Sequence, residues 1–429
     1  MSATTPAPQD RLGLWALAAS TAISYFGNML TFLAVPWFVL VTTGSASRTG
    51  LAGAVLVLAP VAAGVVSGPI IDRLGFKRAS MIADLASGLT IAIIPALYML
   101  DMLAFWHVLA LTFLSGVLDV PGYTARQALL PGLARQAGVS LERGNSILHL
   151  SYTLSGNLIG AALGGLLIGF VGAAQVLYID ALTFLISFLI IGLAVKPERG
   201  ADRTEQQSDA GESEGGYLDQ LRAGVRLVRG DVVLMTIIPM ATLINFVGSG
   251  FSAVVLPVYA RESFDSASVY GLLVAATGAG SVLGSLAYGI WGERLPRYQL
   301  MLALFCLTTT GYWVFALVGF LPTDFLARFG VGLANGPIST MAMVLVQTRV
   351  PERMLGRVMG LLVTLASAAG PLGVLLAGVA IDVLGLSATL VIVAALMSLI
   401  PLWLALNPRA RAAASEFERG ALAEATPAQ

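Results

Sequence analysis

Long stretches without any charged residue dominate the pattern of apolar and polar positions along this chain. Asp, Glu, Lys and Arg are absent from residues 12–47, 49–71, 144–179, 232–260, 266–292, 298–323, 358–381 and 383–408. About 20 apolar residues cross a bilayer as a helix, and a backbone inside lipid must satisfy its hydrogen bonds within its own segment. The alternation typical of a membrane β-strand is missing. The pattern therefore predicts an all-α integral membrane protein.

Twelve transmembrane helices are predicted, in two groups of six. We place them near residues 14–41, 50–71, 79–100, 104–126, 145–170, 174–195, 231–258, 268–291, 298–318, 322–346, 357–382 and 386–406. The predicted organisation is an N-terminal tail (1–13), a six-helix bundle (14–195), a linker (196–230), a second six-helix bundle (231–406) and a C-terminal tail (407–429). Both tails are expected in the cytoplasm.

The distribution of basic residues sets this orientation. With the N-terminus inside, only Arg48 and Arg261 of the 24 Lys and Arg fall in external loops, and Arg328 falls within a helix. Cytoplasmic loops of membrane proteins are enriched in Lys and Arg. The bases are almost all arginine, and Ala and Gly are abundant, which indicates a bacterial genome of high GC content. We expect a multi-pass protein of a bacterial plasma (inner) membrane.

The linker contains the one substantial polar stretch between the bundles. Its first part is rich in charge, Gly and Ser, which is typical of a flexible segment. Its second part (YLDQLRAGVRLVRG) has apolar residues at helical spacing beside three arginines. This segment is either a short helix on the inner membrane surface or a solvated linker helix.

The two bundles share a sequence pattern at a constant offset of 221 residues. Glycines and prolines correspond across this offset, and so do the charged residues after the second helix of each bundle. The matched positions are Gly27 and Gly248, Pro36 and Pro257, Gly50 and Gly271, Gly68 and Gly289, Asp72 and Glu293, and Arg73 and Arg294. Six helices per repeat give both halves the same orientation, as in transporters built from parallel repeats.

Composition excludes several classes of function. Hydrophobic residues make up 57% of the chain and charged residues 11%, while acids and bases balance at 24 each. The balance offers no surface for nucleic acid, and one cysteine with two histidines offers no metal site. A phosphate-binding G-x-x-x-x-G-K-[ST] loop is absent. Few clustered His, Asp or Glu argue against a membrane enzyme or a sensor.

The loop after the second helix has the most specific motif. Its residues are Gly68, Asp72, Arg73, Gly75, Lys77 and Arg78. They match G-x-x-x-D-R-x-G-x-[RK]-[RK], so the chain resembles the major facilitator superfamily. The resemblance implies a twelve-helix fold of two pseudo-symmetric bundles and a loop that latches them in the outward-facing state. Alternatively, the bases only set topology. A second copy has Pro296 for the turn glycine and consists of Gly289, Glu293, Arg294 and Arg297.

Two further stretches resemble the drug/proton antiporter branch that contains macrolide and siderophore exporters. Helix 5 resembles the branch motif G-x-x-x-G-P-x-x-G-G at Gly156, Gly160, Gly164 and Gly165, with Ala161 in place of proline. The stretch from Val120 to Pro131 resembles the end of helix 4 in the same branch. The resemblance implies export, whereas the glycines alone would also fit ordinary packing of membrane helices.

Ionisable residues within membrane helices mark functional sites. Asp119, Tyr123 and Arg126 share one face of helix 4, and Asp180 lies in helix 6. We consider Asp119 and Asp180 as proton-coupling or substrate residues, the alternative being structural ion pairs. Arg126, at the predicted end of helix 4, favours an interfacial or latch-associated base. Asp84 is a weaker candidate, and Asp324 with Arg328 is predicted to form an ion pair.

Three asparagines, Asn28, Asn245 and Asn335, lie in helices that line the family's cavity. They could bind substrate or bridge helices. The predicted function is secondary-active, proton-coupled export of a small amphipathic or lipophilic molecule by alternating access. An importer or uniporter of the same fold is the alternative. The expected partners are the substrate and the bilayer, with the protein a monomer that uses a proton gradient and no cofactor or metal.

Overall fold

Helices account for almost all of the part of the chain that the structure describes. The computed structural model describes residues 11–196, 232–350 and 352–407, and within them twelve helices are long and apolar enough to cross a membrane. In the first half they are α1 (Leu12–Thr43), α2 (Ala46–Leu74), α3 (Phe76–Met99), α4 (Phe105–Ala137), α5 (Leu141–Val171) and α6 (Ala173–Ala194). Most of both predicted tails (residues 1–10 and 408–429) and the possible linker helix lie outside the described residues.

The second half has the same number of helices. Helix α7 consists of Val232–Gly250, a π-helical turn at Phe251–Val255 and a last segment at Leu256–Phe264. The others are α8 (Ala267–Trp291), α9 (Arg297–Leu317), α10 (Leu321–Arg349), α11 (Glu352–Leu384) and α12 (Leu386–Leu406). The predicted all-α membrane fold is confirmed, although α4 ends eleven residues later than predicted, at Ala137 rather than near residue 126.

The described residues form two compact units. Residues 11–43 and 55–196 form the first, and residues 44–54 and those from 232 onwards form the second. In the first unit α1 packs on α5, and α3 packs on α4 and α6; in the second, α7 packs on α11, and α9 packs on α10 and α12. These pairings repeat the same helix order, in agreement with the internal duplication.

The structure groups residues 44–54 with the second unit, whereas the sequence-based boundary assigned them to the N-terminal bundle. Gly50 explains their grouping, because a Cβ there would lie 2.9 Å from the carbonyl oxygen of Val374 on α11. Asp382 at the end of α11 also accepts hydrogen bonds from the backbone amides of Ala46 (3.0 Å) and Ser47 (2.8 Å). It therefore caps the N-terminus of α2, where backbone donors have no partner within the helix.

Single glycines connect several successive helices. Gly75 joins α2 to α3, Gly172 joins α5 to α6, and Gly385 joins α11 to α12, with φ of 76°, 92° and 85°. A side chain strongly disfavours this backbone conformation, so glycine permits the tight turn. The predicted break between the helices placed at 145–170 and 174–195 is therefore present at Gly172.

Large apolar side chains cover the outer surface of the helices. Examples are Leu193, Phe170 and Val383, of which 87%, 83% and 74% of the surface is exposed. Water would penalise such a surface, whereas lipid tails solvate it.

Candidate functional site

A cavity of about 460 Å³ opens inside the first unit between α1, α2, α4 and α6. Its polar lining includes Tyr25, Asn28, Thr31, Asp119, Tyr123 and Asp180. Gly116 brings α4 close to α2 at the cavity wall, because a Cβ there would lie 2.7 Å from the methyl group of Ala59. The cavity is therefore enclosed by close helix contact on one side and lined by polar groups on the other.

Asp119 has a carboxylate at the wall of this cavity. The Asn28 amide donates a hydrogen bond to Asp119 Oδ2 at 2.9 Å. Asp119 Oδ1 lies 3.8 Å from Nη2 of Arg126 and has no hydrogen-bond partner among the described residues. The side chain is 18% exposed. It is therefore the member of the charged group that a molecule in the cavity can reach most directly.

Arg126 is buried at the centre of a charged network. Its Nη1 lies 2.7 Å from Oδ1 of Asp84, and its Nη2 donates to the Ser24 hydroxyl at 3.2 Å. The Ser187 hydroxyl donates to Asp84 Oδ2 at 2.7 Å. Only 1% of Arg126 and none of Asp84 is exposed. The interpretation of Arg126 as an interfacial base is wrong, because α4 continues to Ala137 and leaves Arg126 within the bundle.

Asp180 is buried between α1 and α6. The hydroxyl of Thr31 donates to Asp180 Oδ2, and the hydroxyl of Thr183 donates to Oδ1 at 3.2 Å. Gly27 permits this arrangement, because a Cβ there would overlap the Asp180 carboxylate and the Thr183 hydroxyl. Within the described residues, no base lies within 4.0 Å of Asp180. Two hydroxyl donors are therefore its polar contacts.

The acids of this region outnumber the bases. Asp84, Asp119 and Asp180 face one guanidinium, that of Arg126, among the side chains that the structure describes. Arg126 contacts Asp84 closely and Asp119 at longer range. Burial of an unpaired carboxylate is costly. The site can therefore bind one or more positive charges.

Aromatic side chains continue the cavity wall. The ring of Tyr25 lies 5.8 Å from that of Tyr123 and 5.2 Å from that of Tyr152. Tyr152 in turn contacts the ring of His149. Sequence reasoning missed Tyr152. Its position four residues before Gly156 of the helix-5 glycine motif was the available signal. In the structure, a π-helical segment begins at the next residue and covers Thr153–Gly160.

Comparison with known proteins identifies the family. The family model of the Major Facilitator Superfamily matches residues 17–241 and 238–428. The chain belongs to this superfamily. It is 31% identical over 392 residues to the multidrug efflux pump Tap of Mycolicibacterium fortuitum, with 90% of this chain and 93% of Tap covered. It is 24% identical to macrolide efflux protein A of Streptococcus pyogenes, with 90% and 95% covered.

Solved structures agree with the family on the fold. The nucleoside transporter NupG superposes with a TM-score of 0.73 at 12% identity, covering 91% of this chain and 97% of NupG. At this identity the likeness concerns the fold alone. The family match and the efflux relatives identify this major facilitator protein as a multi-pass membrane transporter of small molecules and not an enzyme.

The latch motif of this major facilitator protein surrounds the turn between α2 and α3. Asp72, Arg73 and Arg78 are exposed, and Gly75 forms the turn. Lys77 has a contact that its sequence position did not predict: its Nζ donates to the carbonyl oxygens of Gly192 (2.9 Å) and Val195 (2.5 Å) at the end of α6. A Cβ at Gly68 would meet nothing within 4 Å among the described residues. The latch function itself stays a prediction.

The second copy of the motif has a different backbone conformation. Gly292–Arg294, which includes Glu293, forms a short 3₁₀ turn after α8, and Arg297 begins α9. Pro296 precedes α9 with φ of −63°, where the first copy has Gly75 at +76°. Gly289 lies in the last turn of α8, and a Cβ there would meet no described atom within 4 Å. The exchange of glycine for proline therefore changes the turn.

The remaining predicted site residues divide between the units. In α5, a Cβ at Gly160 or Gly164 would lie 3.0 Å from side chains of α1, and one at Gly156 would lie 3.7 Å from Tyr25, while Gly165 is buried. The Asn245 amide donates to the Ala241 carbonyl of its own helix. Asn335 is half-buried in α10. Neither asparagine lines the cavity of the first unit.

Proposed function

We propose that this protein exports small amphipathic or lipophilic molecules in exchange for protons. The carboxyl groups of Asp119 and Asp180, which line one cavity, carry this proposal. Asp119 contacts Arg126 at 3.8 Å, and among the described residues Asp180 has no base within 4.0 Å. They bind protons when the cavity is empty and release them when a substrate occupies it. A proton gradient drives the cycle, and no cofactor or metal is required.

The direction of transport is supported by relatives. Two proteins similar to this chain over nine-tenths of its length are named as a multidrug efflux pump and a macrolide efflux protein. Their names indicate drug-like molecules with a large apolar surface. The cavity fits this class, because tyrosine rings and apolar side chains accept such surface without demanding one arrangement of hydrogen bonds.

Arg126 and Asp84 form an ion pair beside the exchange site. The Arg126 guanidinium lies 2.7 Å from Asp84 but 3.8 Å from Asp119. A small rotation of Arg126 towards Asp119 would favour the ionised form of that carboxyl and release its proton. Asn28 holds the Asp119 carboxylate in place for this exchange. Arg126 is thus a positioning residue whose charge competes with the proton.

Alternating access supplies the transport step. Two parallel repeats of six helices expose the cavity to one side of the membrane and then to the other. We propose that the protein works as a monomer in a bacterial inner membrane, with both termini in the cytoplasm. The exposed loop of Asp72, Arg73 and Arg78 then lies on the cytoplasmic side and latches the outward-facing state.

Transport into inside-out membrane vesicles tests the proposal. Vesicles from an efflux-deficient host are given an acidic lumen and a radiolabelled macrolide, without ATP. Wild-type protein is expected to concentrate the macrolide in the lumen until a protonophore collapses the gradient. Asp119→Asn and Asp180→Asn are each expected to reduce this accumulation to the level of vesicles without the protein, while the variants still bind the macrolide.

The matched control is Asp101→Asn. Asp101 is exposed in the loop after α3 with φ of 56°, a conformation that asparagine also adopts readily. It should transport like the wild type. Accumulation that both cavity variants keep at every imposed pH gradient would refute proton exchange at these carboxyls.

A further inference from the structure

A second group of buried ionisable side chains lies in the C-terminal unit. Asp324 and Arg328 occupy the first two turns of α10, four residues apart. Tyr259 from α7, Tyr270 from α8 and Tyr312 from α9 are the other titratable groups that approach them. Neither the proposed exchange site nor the latch uses any of these residues.

Asp324 is buried, and no base among the described residues lies within 4.0 Å of it. None of its surface is exposed. The hydroxyl of Tyr259 donates to Asp324 Oδ2 at 2.5 Å, and Oδ1 has no hydrogen-bond partner among the described residues. The sequence predicted an ion pair with Arg328, but no nitrogen of that side chain lies within 4.0 Å of the carboxylate. That prediction is wrong, because Arg328 turns towards aromatic neighbours instead.

Those neighbours hold the guanidinium away from the acid. The Cζ atom of Arg328 lies 5.0 Å from the centre of the Phe251 ring, a cation–π distance. The side chain also contacts the hydroxyl of Tyr312. Its Nε has no partner among the described residues, and 4% of the residue is exposed. One polar atom on each member of the expected pair is therefore unsatisfied.

Asp324 does not have the usual role of an acid near a helix N-terminus. An acid that caps a helix accepts hydrogen bonds from free backbone amides of the first turn. Here Oδ1 accepts none, and Oδ2 is bonded to Tyr259 on another helix. A neutral acid would leave one hydroxyl unsatisfied, whereas an ionised one would leave a full charge unpaired in an apolar setting, which costs far more.

We infer that Asp324 is a second proton-binding site, in the C-terminal unit, and that Arg328 displaces its proton. With Arg328 held by Phe251 and Tyr312, the Asp324 carboxyl binds one proton. When Arg328 turns towards Asp324, which its position one helical turn away allows, the carboxylate pairs with the guanidinium and the proton passes to water. Arg328 stays charged throughout, so one proton is bound and one is released.

Infrared difference spectroscopy of the full-length protein in liposomes tests this inference. The C=O stretch of a protonated carboxyl is recorded while the pH is raised. Wild type is expected to lose a band that Asp324→Asn lacks from the start and that Asp265→Asn retains. Asp265 is a matched control, because it lies at the exposed end of α7 in the same unit, with φ of 46°. Superimposable spectra of wild type and Asp324→Asn would overturn the inference.

Two milder variants keep the test decisive if Asp324→Asn does not fold. Tyr259→Phe removes the hydrogen bond to Oδ2 and is expected to shift the frequency of the band without abolishing it. Arg328→Gln removes the displacing charge, so the band should persist to a pH at least about one unit higher, a tenfold change in proton affinity. An unshifted band in the first variant, or an unchanged midpoint in the second, would contradict the assignment.

The spectroscopic result does not depend on the proposed export function. If the Asp324 band behaves as expected while Asp119→Asn and Asp180→Asn transport normally, the second site stands and the proposed exchange site fails. If those two variants lose gradient-driven transport while Asp324→Asn matches the wild-type spectrum, the export mechanism stands and the second site fails.

Discussion

The ion pair between Asp84 and Arg126 offers the sharpest test of how charge is held in this transporter. Its atoms are 2.7 Å apart, and at most 1% of either side chain is exposed. Removing one partner of a buried pair costs about 3–5 kcal/mol, because the other charge stays buried without compensation. Arg126→Gln leaves Asp84 with the Ser187 hydroxyl as its one polar partner among the described side chains. We expect this variant to lose about 4 kcal/mol of unfolding free energy.

Asp84→Asn should cost less than Arg126→Gln. Arg126 then still has Asp119 at 3.8 Å and the Ser24 hydroxyl at 3.2 Å, which places the loss near the lower end of the range, at about 3 kcal/mol. The double variant replaces both charges with neutral amides. Its cost should fall short of the sum of the single losses by about 2 kcal/mol, within the range for residues in direct contact.

Unfolding in mixed detergent and dodecyl sulfate micelles, followed by tryptophan fluorescence, measures these losses. Asp101→Asn serves as the control, because an exposed loop substitution changes stability by at most about 0.5 kcal/mol. Exposed ion pairs contribute only about 0–1 kcal/mol. Losses below about 1 kcal/mol in both single variants, adding without interaction in the double variant, would therefore refute the conclusion that this pair is shielded from water.

Three further predictions concern helix packing and helix ends. Gly332→Ala should destabilise the second unit by about 1–3 kcal/mol, because its methyl group would overlap the backbone of α8. Gly330→Ala, whose methyl group would lie 3.5 Å from the Leu307 side chain, should be tolerated. Thermal unfolding in detergent compares the two variants, and equal melting temperatures would contradict close packing at Gly332. Lys77→Met should lower the free energy of unfolding by about 1.5–3 kcal/mol, because it removes a charged donor from the carbonyl groups at the end of α6. Arg78→Met, at an exposed position, should not; equal losses in the same unfolding assay would exclude the Lys77 contact. Asp382→Ala should lower the free energy of unfolding by about 1 kcal/mol and speed hydrogen exchange at the first amides of α2. Asp382→Asn should have an effect between those of the wild type and Asp382→Ala, and unchanged exchange rates would show that the cap is absent.

Hydrophobic length and charge distribution already determined the class of this protein. Crossing a bilayer depends on about 20 consecutive residues, which is a property of the chain in one dimension. The twelve helices, the two matching halves and the motif at Gly68–Arg78 are therefore visible without any structure, and the family match agrees with them. Asn28, Asp119, Tyr123 and Asp180, which line the cavity, were among the predicted site residues, because polar groups are costly in membrane helices without a use. Asn245 and Asn335 were predicted on the same ground and do not line it.

The tertiary structure alone decided which charges meet. A sequence pattern gives the face of a helix but not the helix that packs against it, and an error of eleven residues at the end of α4 placed Arg126 at an interface rather than in a buried network. Asp324 and Arg328 illustrate the same limit. Their spacing allows an ion pair, yet Tyr259 and Phe251, from different segments of α7, each compete for one member. Electrostatic partners are chosen by three-dimensional packing, because charge interactions fall off with distance in space and not with separation along the chain.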